Sequence, residues 1–270
     1  MSARIYFINF GAEYNYKPMT NKRFFEERRT IRNYTPRHIS DEMLEELVGE
    51  AAHAPTTGNM QLYSVIATRS QDIKEMLAPC HFNQPSVTSC DVVLTFCADF
   101  SRFTRWCVLS EANPGYDNFQ SFMTAVLDTT IFAQQFCTAA EMRGLGCCYL
   151  GTTTYNAPKI AEILRLPELV VPVTTLTLGY PADSGVDCGR LPVSAVLHRE
   201  QYYDYTDGEI IDLYAEKEAR DDSRGFVEEN NKKTLAQVFT DVRYTKDANE
   251  HFSKVYFDFI VSQGYGMPVK

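Results

Sequence analysis

Three arginines and a threonine fall within five residues at Arg28-Arg29-Thr30-Ile31-Arg32. Guanidinium forks match phosphate oxygens two at a time, and a threonine hydroxyl adds a further donor. The same residues would sit equally well as a solvated patch at a helix end, where cations meet the negative pole of the helix dipole. A second group is Ala54-Pro55-Thr56-Thr57-Gly58-Asn59-Met60-Gln61. Its small polar side chains and backbone amides suit the edge of a flat polar ring, or simply an ordinary connection from helix to strand. A third is Gly144-Leu145-Gly146-Cys147-Cys148-Tyr149-Leu150-Gly151. It looks superficially like a dinucleotide fingerprint, but the third glycine is too distant and the run follows a helix instead of a strand. A tight turn entering a buried strand is the plainer reading. Vicinal Cys147 and Cys148 read as packing residues, because neighbouring cysteines form strained disulfides. A fourth is Gly179-Tyr180-Pro181-Ala182-Asp183, followed by Gly189-Arg190-Leu191-Pro192. Taken alone, Arg190 is a surface cation in a turn-rich loop.

Other chemistries find no support. There is no G-x-x-x-x-G-K-[ST] run for a phosphate loop and no G-x-S-x-G elbow. His38, His53, His81, His198 and His251 are scattered and never stand four apart. The eight cysteines form no C-x-x-C pair, so no metal site is expected, and several lie inside apolar runs like buried free thiols. That usage implies a reducing, cytoplasmic setting.

The elements that must carry these groups follow from periodicity and caps. A helix is expected at about 21–29, then an extended piece from Ile31 to Tyr34. Ser40 is an N-cap, with Asp41 and Glu42 in the first turn and Met43, Leu44, Leu47, Val48 and Ala51 at helical spacing. Strands are expected at 61–68 and 91–97, with a short helix Gln71–Leu77 between them. The longest helical signal runs from about 118 to 143 and is apolar on more than one side, as in a core or an interface. A strand at about 146–150, a helix at 156–165 and a strand at 172–179 follow. Helices near 207–219 and 248–263 are expected, joined by a mobile link at 220–232. Mixed strands and helices without strict alternation give an α+β class.

The bulk properties agree. A chain of 270 residues with 44% apolar and 23% charged residues can bury a core without staples. A net charge of −9 and the lack of a basic run argue against nucleic acid as a partner. No stretch approaches the ~18 apolar residues that span a bilayer, and the N-terminus lacks a basic, cleavable leader, so no membrane partner is expected.

Taken together and in order, the four motifs resemble the FMN-dependent nitroreductase family. Arg28-Arg29-Thr30-Ile31-Arg32 is similar to its early R/H-R-S-I-R motif, and Ala54 to Gln61 to its A-P-[ST]-x-x-N-x-Q segment. Gly144 to Gly151 resembles its G-L-G-x-x-[YW]-[IL]-G run, and Leu178 to Pro181 with Arg190-Leu191-Pro192 its G-[YW]-P…R-L-P end. Residues 84–100 look like the larger, NADPH-type flavin reductases within the family. The resemblance covers about residues 23–200.

It implies an α+β nitroreductase-like fold, with a central mixed or antiparallel sheet flanked by helices and two intertwined subunits. It divides the chain into an arm at 1–20, an FMN-binding domain at 21–200 and a helical extension at 201–270. FMN would sit at the homodimer interface, with NADH or NADPH as co-substrate. Arg28, Arg29, Thr30 and Arg32 would hold the phosphate and flavin edge, and Arg190 would return to the phosphate. Pro55, Thr56, Thr57 and Asn59 would border the ring, Gln84 would contact flavin or ribityl oxygens, and Tyr149, Leu150 and Gly151 would pack and bond the ring. Cys188 stands where the family often carries lysine, and Lys232 and Lys233 are the cations left for a nucleotide 2′-phosphate. The expected activity is hydride transfer to nitroaromatics, quinones or another flavin by ping-pong kinetics, with no catalytic side chain. A specialised enone or flavin reductase and a non-catalytic FMN-binding dimer are the alternatives.

Overall fold

The computed structural model describes residues 21–266; the expected arm at 1–20 lies outside the described residues. A short helix, α1 (Asn21–Glu26), leads into an extended crossing that ends at Ser40. Ser40 caps α2 (Asp41–Ala51) by accepting from the Met43 amide at 3.2 Å, and Leu44, Leu47 and Ala51 form the buried stripe. A turn then delivers β1 (Tyr63–Thr68), α3 (Gln71–Leu77), α4 (Pro85–Ser89) and β2 (Val92–Asp99). A further helix, α5 (Ser101–Leu109), precedes α6 (Phe119–Met142), which Asn118 caps through the Ser121 amide at 3.0 Å. β3 (Gly146–Leu150), α7 (Ala157–Leu164) and β4 (Val170–Gly179) complete the central unit. Beyond it lie α8 (Asp207–Ala219), α9 (Asp221–Glu229), α10 (Leu235–Val238), a π-helical turn at Phe239–Arg243 and α11 (Lys246–Ser262).

The four strands lie in the order β1-β2-β4-β3, each neighbouring pair antiparallel. β2 is buried along its whole length, as an interior strand covered on both faces must be. Val92, Leu94 and Phe96 face α2 and α6, meeting Leu47, Phe132, Phe136 and Ala140. Val93 faces the opposite layer with Leu77, Val87 and Ile160 of α3, α4 and α7. A third cluster joins Phe100, Phe122 and Ala161 to Phe259 and Ile260 of α11.

Three expectations need correction. The link at 220–232 contains α9, whose Asp221 and Asp222 sit in the first turn and whose Ser223 is buried. Its charged sequence hid a helix stabilised at its N-terminal pole. α5 begins immediately after β2 and was not expected. β4 starts at Val170 and passes through Pro172, opposite Cys97, where the register with β2 shifts. A strand interior tolerates proline at such an irregularity, since no ladder donor is needed there.

Candidate functional site

Three of the four sequence motifs meet at the β3 edge of the sheet. The Ile31 amide donates to the Cys147 carbonyl at 3.1 Å, and Thr30 forms an antiparallel bridge with Val186. The Thr35 amide donates to the Tyr180 carbonyl at 2.8 Å, and Tyr34 bridges Pro181. The segment therefore lies against β3 and the chain leaving β4. Glycines make room for it. Gly146 and Gly179 are register partners, and a Cβ on Gly146 would stand 2.6 Å from the Ile31 side chain. A Cβ on Gly179 would stand 2.6 Å from the Tyr34 ring. The Tyr34 hydroxyl bonds the Ile31 carbonyl at 2.8 Å and Thr177 Oγ1 at 2.7 Å, which pins the segment down.

The cations spread along this edge. Arg29 Nη2 lies 3.5 Å from Asp187 Oδ2, and Arg220 donates to the Asp187 carbonyl at 2.5 Å. The exposed Asp187 carboxyl is held below the usual carboxylate range, first by the Gly189 amide and then by Arg29, Arg220 and Arg190. Arg220 itself pairs with Asp222 at 3.0 Å, so arginines and acids alternate along this rim. Arg28 Nε pairs with Glu141 of α6 at 3.1 Å, and Arg32 reaches Cys148. Gln84 caps α4 one turn from His81, whose Nδ1 bonds Thr152 Oγ1 at 2.8 Å. That bond holds the Gln84 turn against the chain just beyond Gly151. Tyr149 is half-buried with its phenol pushed upward by burial, whereas the Leu150 side chain lies in the core with Val93 and Ile160.

The fourth motif is elsewhere. Asp128 of α6, 2% exposed, accepts from the Thr56 hydroxyl, from the Thr57 amide at 3.0 Å and from the Thr57 hydroxyl at 3.0 Å. Pro55, Thr57 and Asn59 are exposed, with Gly58 and Asn59 in the left-handed region. Asp128 and Glu141 are thirteen residues apart on one helix, about 20 Å at 1.5 Å per residue. Within one protomer the two halves of the candidate site attach to the middle and to the C-terminal end of α6.

Sequence reasoning passed over Asp128, Glu141, Asp187 and Arg220. The first two carried a signal: they are the two acids in an otherwise uncharged α6. The last two lie in different segments, 33 residues apart, and carried none.

The Nitroreductase family model matches residues 25–180, more than half of the chain. The chain belongs to the nitroreductase family. Relatives within it include the CR(VI) reductase of Pseudomonas sp. (strain G-1), 34% identical across 72% of this chain and 79% of its own. The FMN reductase (NADPH) of Bacillus subtilis (strain 168) is 33% identical across 66% of this chain and 73% of its own. An oxidoreductase structure from Bacteroides fragilis NCTC 9343 is 51% identical, with a TM-score of 0.88 over 89% of this chain and 98% of that one. NfrA2 of B. megaterium is 28% identical, with a TM-score of 0.80 over 92% and 98%. The nitroreductase fold expected from the motifs is therefore the fold found. Among the described residues no helix is long and apolar enough to cross a membrane.

Proposed function

We propose that the chain is a flavoprotein oxidoreductase that holds FMN and passes hydride from NADH or NADPH to small acceptors. The acceptors are nitroaromatics, quinones or another flavin, the kinetics are ping-pong, and the working unit is a cytoplasmic homodimer. One observation carries this reading: Arg29, Arg190 and Arg220 gather around the single carboxylate of Asp187, beside Thr30, on an open edge. Arg220 is also paired with Asp222 at 3.0 Å, which leaves Arg29 and Arg190 as the cationic donors that suit a phosphate monoester. The names of the relatives, an FMN reductase (NADPH) and an oxygen-insensitive NADPH nitroreductase among them, support the same cofactors.

Bound FMN would supply reversible hydride acceptance at its N5, and the protein supplies position, charge and exclusion of water. In this reading Arg29, Thr30, Arg32 and Arg190 bind the phosphate. Arg28, steadied by Glu141, orients the start of the segment and offers its remaining nitrogens. Gln84 reaches flavin or ribityl oxygens. Tyr149 packs on the ring, and the backbones of Leu150 and Gly151 bond its edge. Pro55, Thr56, Thr57 and Asn59 border the ring from the second protomer, because Asp128 holds them about 20 Å of helix away from Glu141. The exposed Leu127 and Ile131 on the outer face of α6 support a helix shared between two copies.

The test is direct. Purified protein should carry about one FMN per protomer and oxidise NADH or NADPH when menadione or nitrofurazone is present. Initial rates at several acceptor concentrations should give parallel reciprocal plots, and intersecting plots would reject the ping-pong scheme. Protein that neither carries nor takes up FMN would overturn the whole reading. Flavin-loaded protein without nucleotide oxidation would leave a binding dimer.

A further inference from the structure

Beneath the basic segment lies a polar nest whose two thiols the flavin reading does not use. Cys137 and Glu141 stand four residues apart on α6 and so share one helix face. Cys147 of β3 faces them. One ligand atom from each, two sulfurs and a carboxylate oxygen, lie within 4.8 Å of one another. Both thiols are buried. Glu141 Oε1 is a second, independent sign. It is buried, Arg28 Nε faces it at 3.1 Å as an ion pair, and no hydrogen bond otherwise reaches it.

We propose that Cys137, Cys147 and Glu141 bind one thiophilic divalent cation of the zinc class, with Arg28 as its outer counter-charge. Tetrahedral zinc, with bonds of about 2.0–2.3 Å, needs ligand atoms roughly 3.5–4 Å apart. A contraction of at most ~1.3 Å completes that geometry. The fourth position takes water, reached through the lip formed by Arg28 and Glu141, whose side chains are 23% and 10% exposed.

The charge count favours the site. Counted as free thiols beside the Arg28–Glu141 ion pair, the four side chains are neutral together without the ion. When the ion enters, two S–H bonds break, two metal–sulfur bonds form and two protons leave. One divalent cation replaces two protons, so the nest stays neutral and no net charge is buried. Thiolates select zinc or cadmium over magnesium and calcium. Arg28 on the ligating carboxylate is the outer support that such sites regularly use. The proposal is tested without flavin, because none of its three ligands is assigned to touch the flavin itself.

The test uses the reduced, full-length protein after chelator treatment. It is equilibrated with Zn2+, or with Cd2+, in a large excess of Mg2+ and then desalted. About one ion per protomer should remain, with about two protons released per ion by calorimetry in two buffers. Cd2+ should add a sulfur-to-cadmium charge-transfer band in the ultraviolet. C137A/C147A should retain none, C188A should match the parent, and R28M should bind 10–100-fold more weakly, about the usual effect of removing an outer partner. No retained ion, no proton release or no cadmium band in the parent would overturn the site. So would equal retention by C137A/C147A or loss in C188A. If the double variant does not fold, the band and the proton count on the parent decide the matter alone.

Discussion

Asp128 is a buried acid that holds a loop. Its carboxylate collects the Thr57 amide and two threonine hydroxyls, so removing it strands donors in a place water reaches poorly. Asp128→Ala should lower stability by about 1–3 kcal/mol, read from the urea midpoint, and weaken flavin retention. An unchanged midpoint would mean that the loop at 54–59 holds itself. His81 sets a pH response instead. It is fully buried, and burial pushes its imidazole down to about 4. The unfolded chain takes up this proton near pH 6.5, so between about 6.5 and 4 the unfolded state binds one more proton than the folded state. Stability should be full above that window and fall by about 3 kcal/mol across it as the pH drops. His81→Gln should remove this part of the slope in denaturation curves taken from pH 4.5 to 7.5, and parallel curves for the two proteins would refute the assignment. At this scale the types of the functional residues were legible, since only a few side chains suit a phosphate. Their partners were not. The glycines at 146 and 179 read as turn residues, yet they are a side-chain-free floor whose purpose emerges only when Ile31 and Tyr34 lie on it.

Elements were legible where a cap and a period agreed. Ser40 precedes an apolar stripe and α2 begins where that cap places it, whereas the Asn118 cap of α6 emerged only from the structure. α9 was hidden because acidic residues that stabilise a helix's first turn also look like a solvated linker. α6 was expected to be apolar on more than one side, and it is: Phe132 and Phe136 enter the core while Leu127 and Ile131 remain 58% and 42% exposed. An apolar outer face on the central helix supports the proposed second copy. L127D/I131D should convert a dimer into monomers in sedimentation velocity and release flavin with it. A variant that stays dimeric and yellow would place the subunit contact elsewhere.

For the whole molecule, class and strand content were readable, whereas strand order was not, because pairing in space leaves no local trace. The net charge of −9 conceals the basic edge, since acids on the helices outnumber the arginines gathered at one rim. The extension after residue 200 returns to the core through Phe259 and Ile260 and contributes Arg220 to that rim, so fold and ligand edge share it. α6 remains the feature with the widest reach. It carries one anchor at Asp128 and another at Glu141, and a helix is a rigid ruler. One inserted residue between the two would swing one anchor by about 100° relative to the other and shift it by about 1.5 Å. Length in this stretch is therefore frozen, whereas the loops at either end are free to drift.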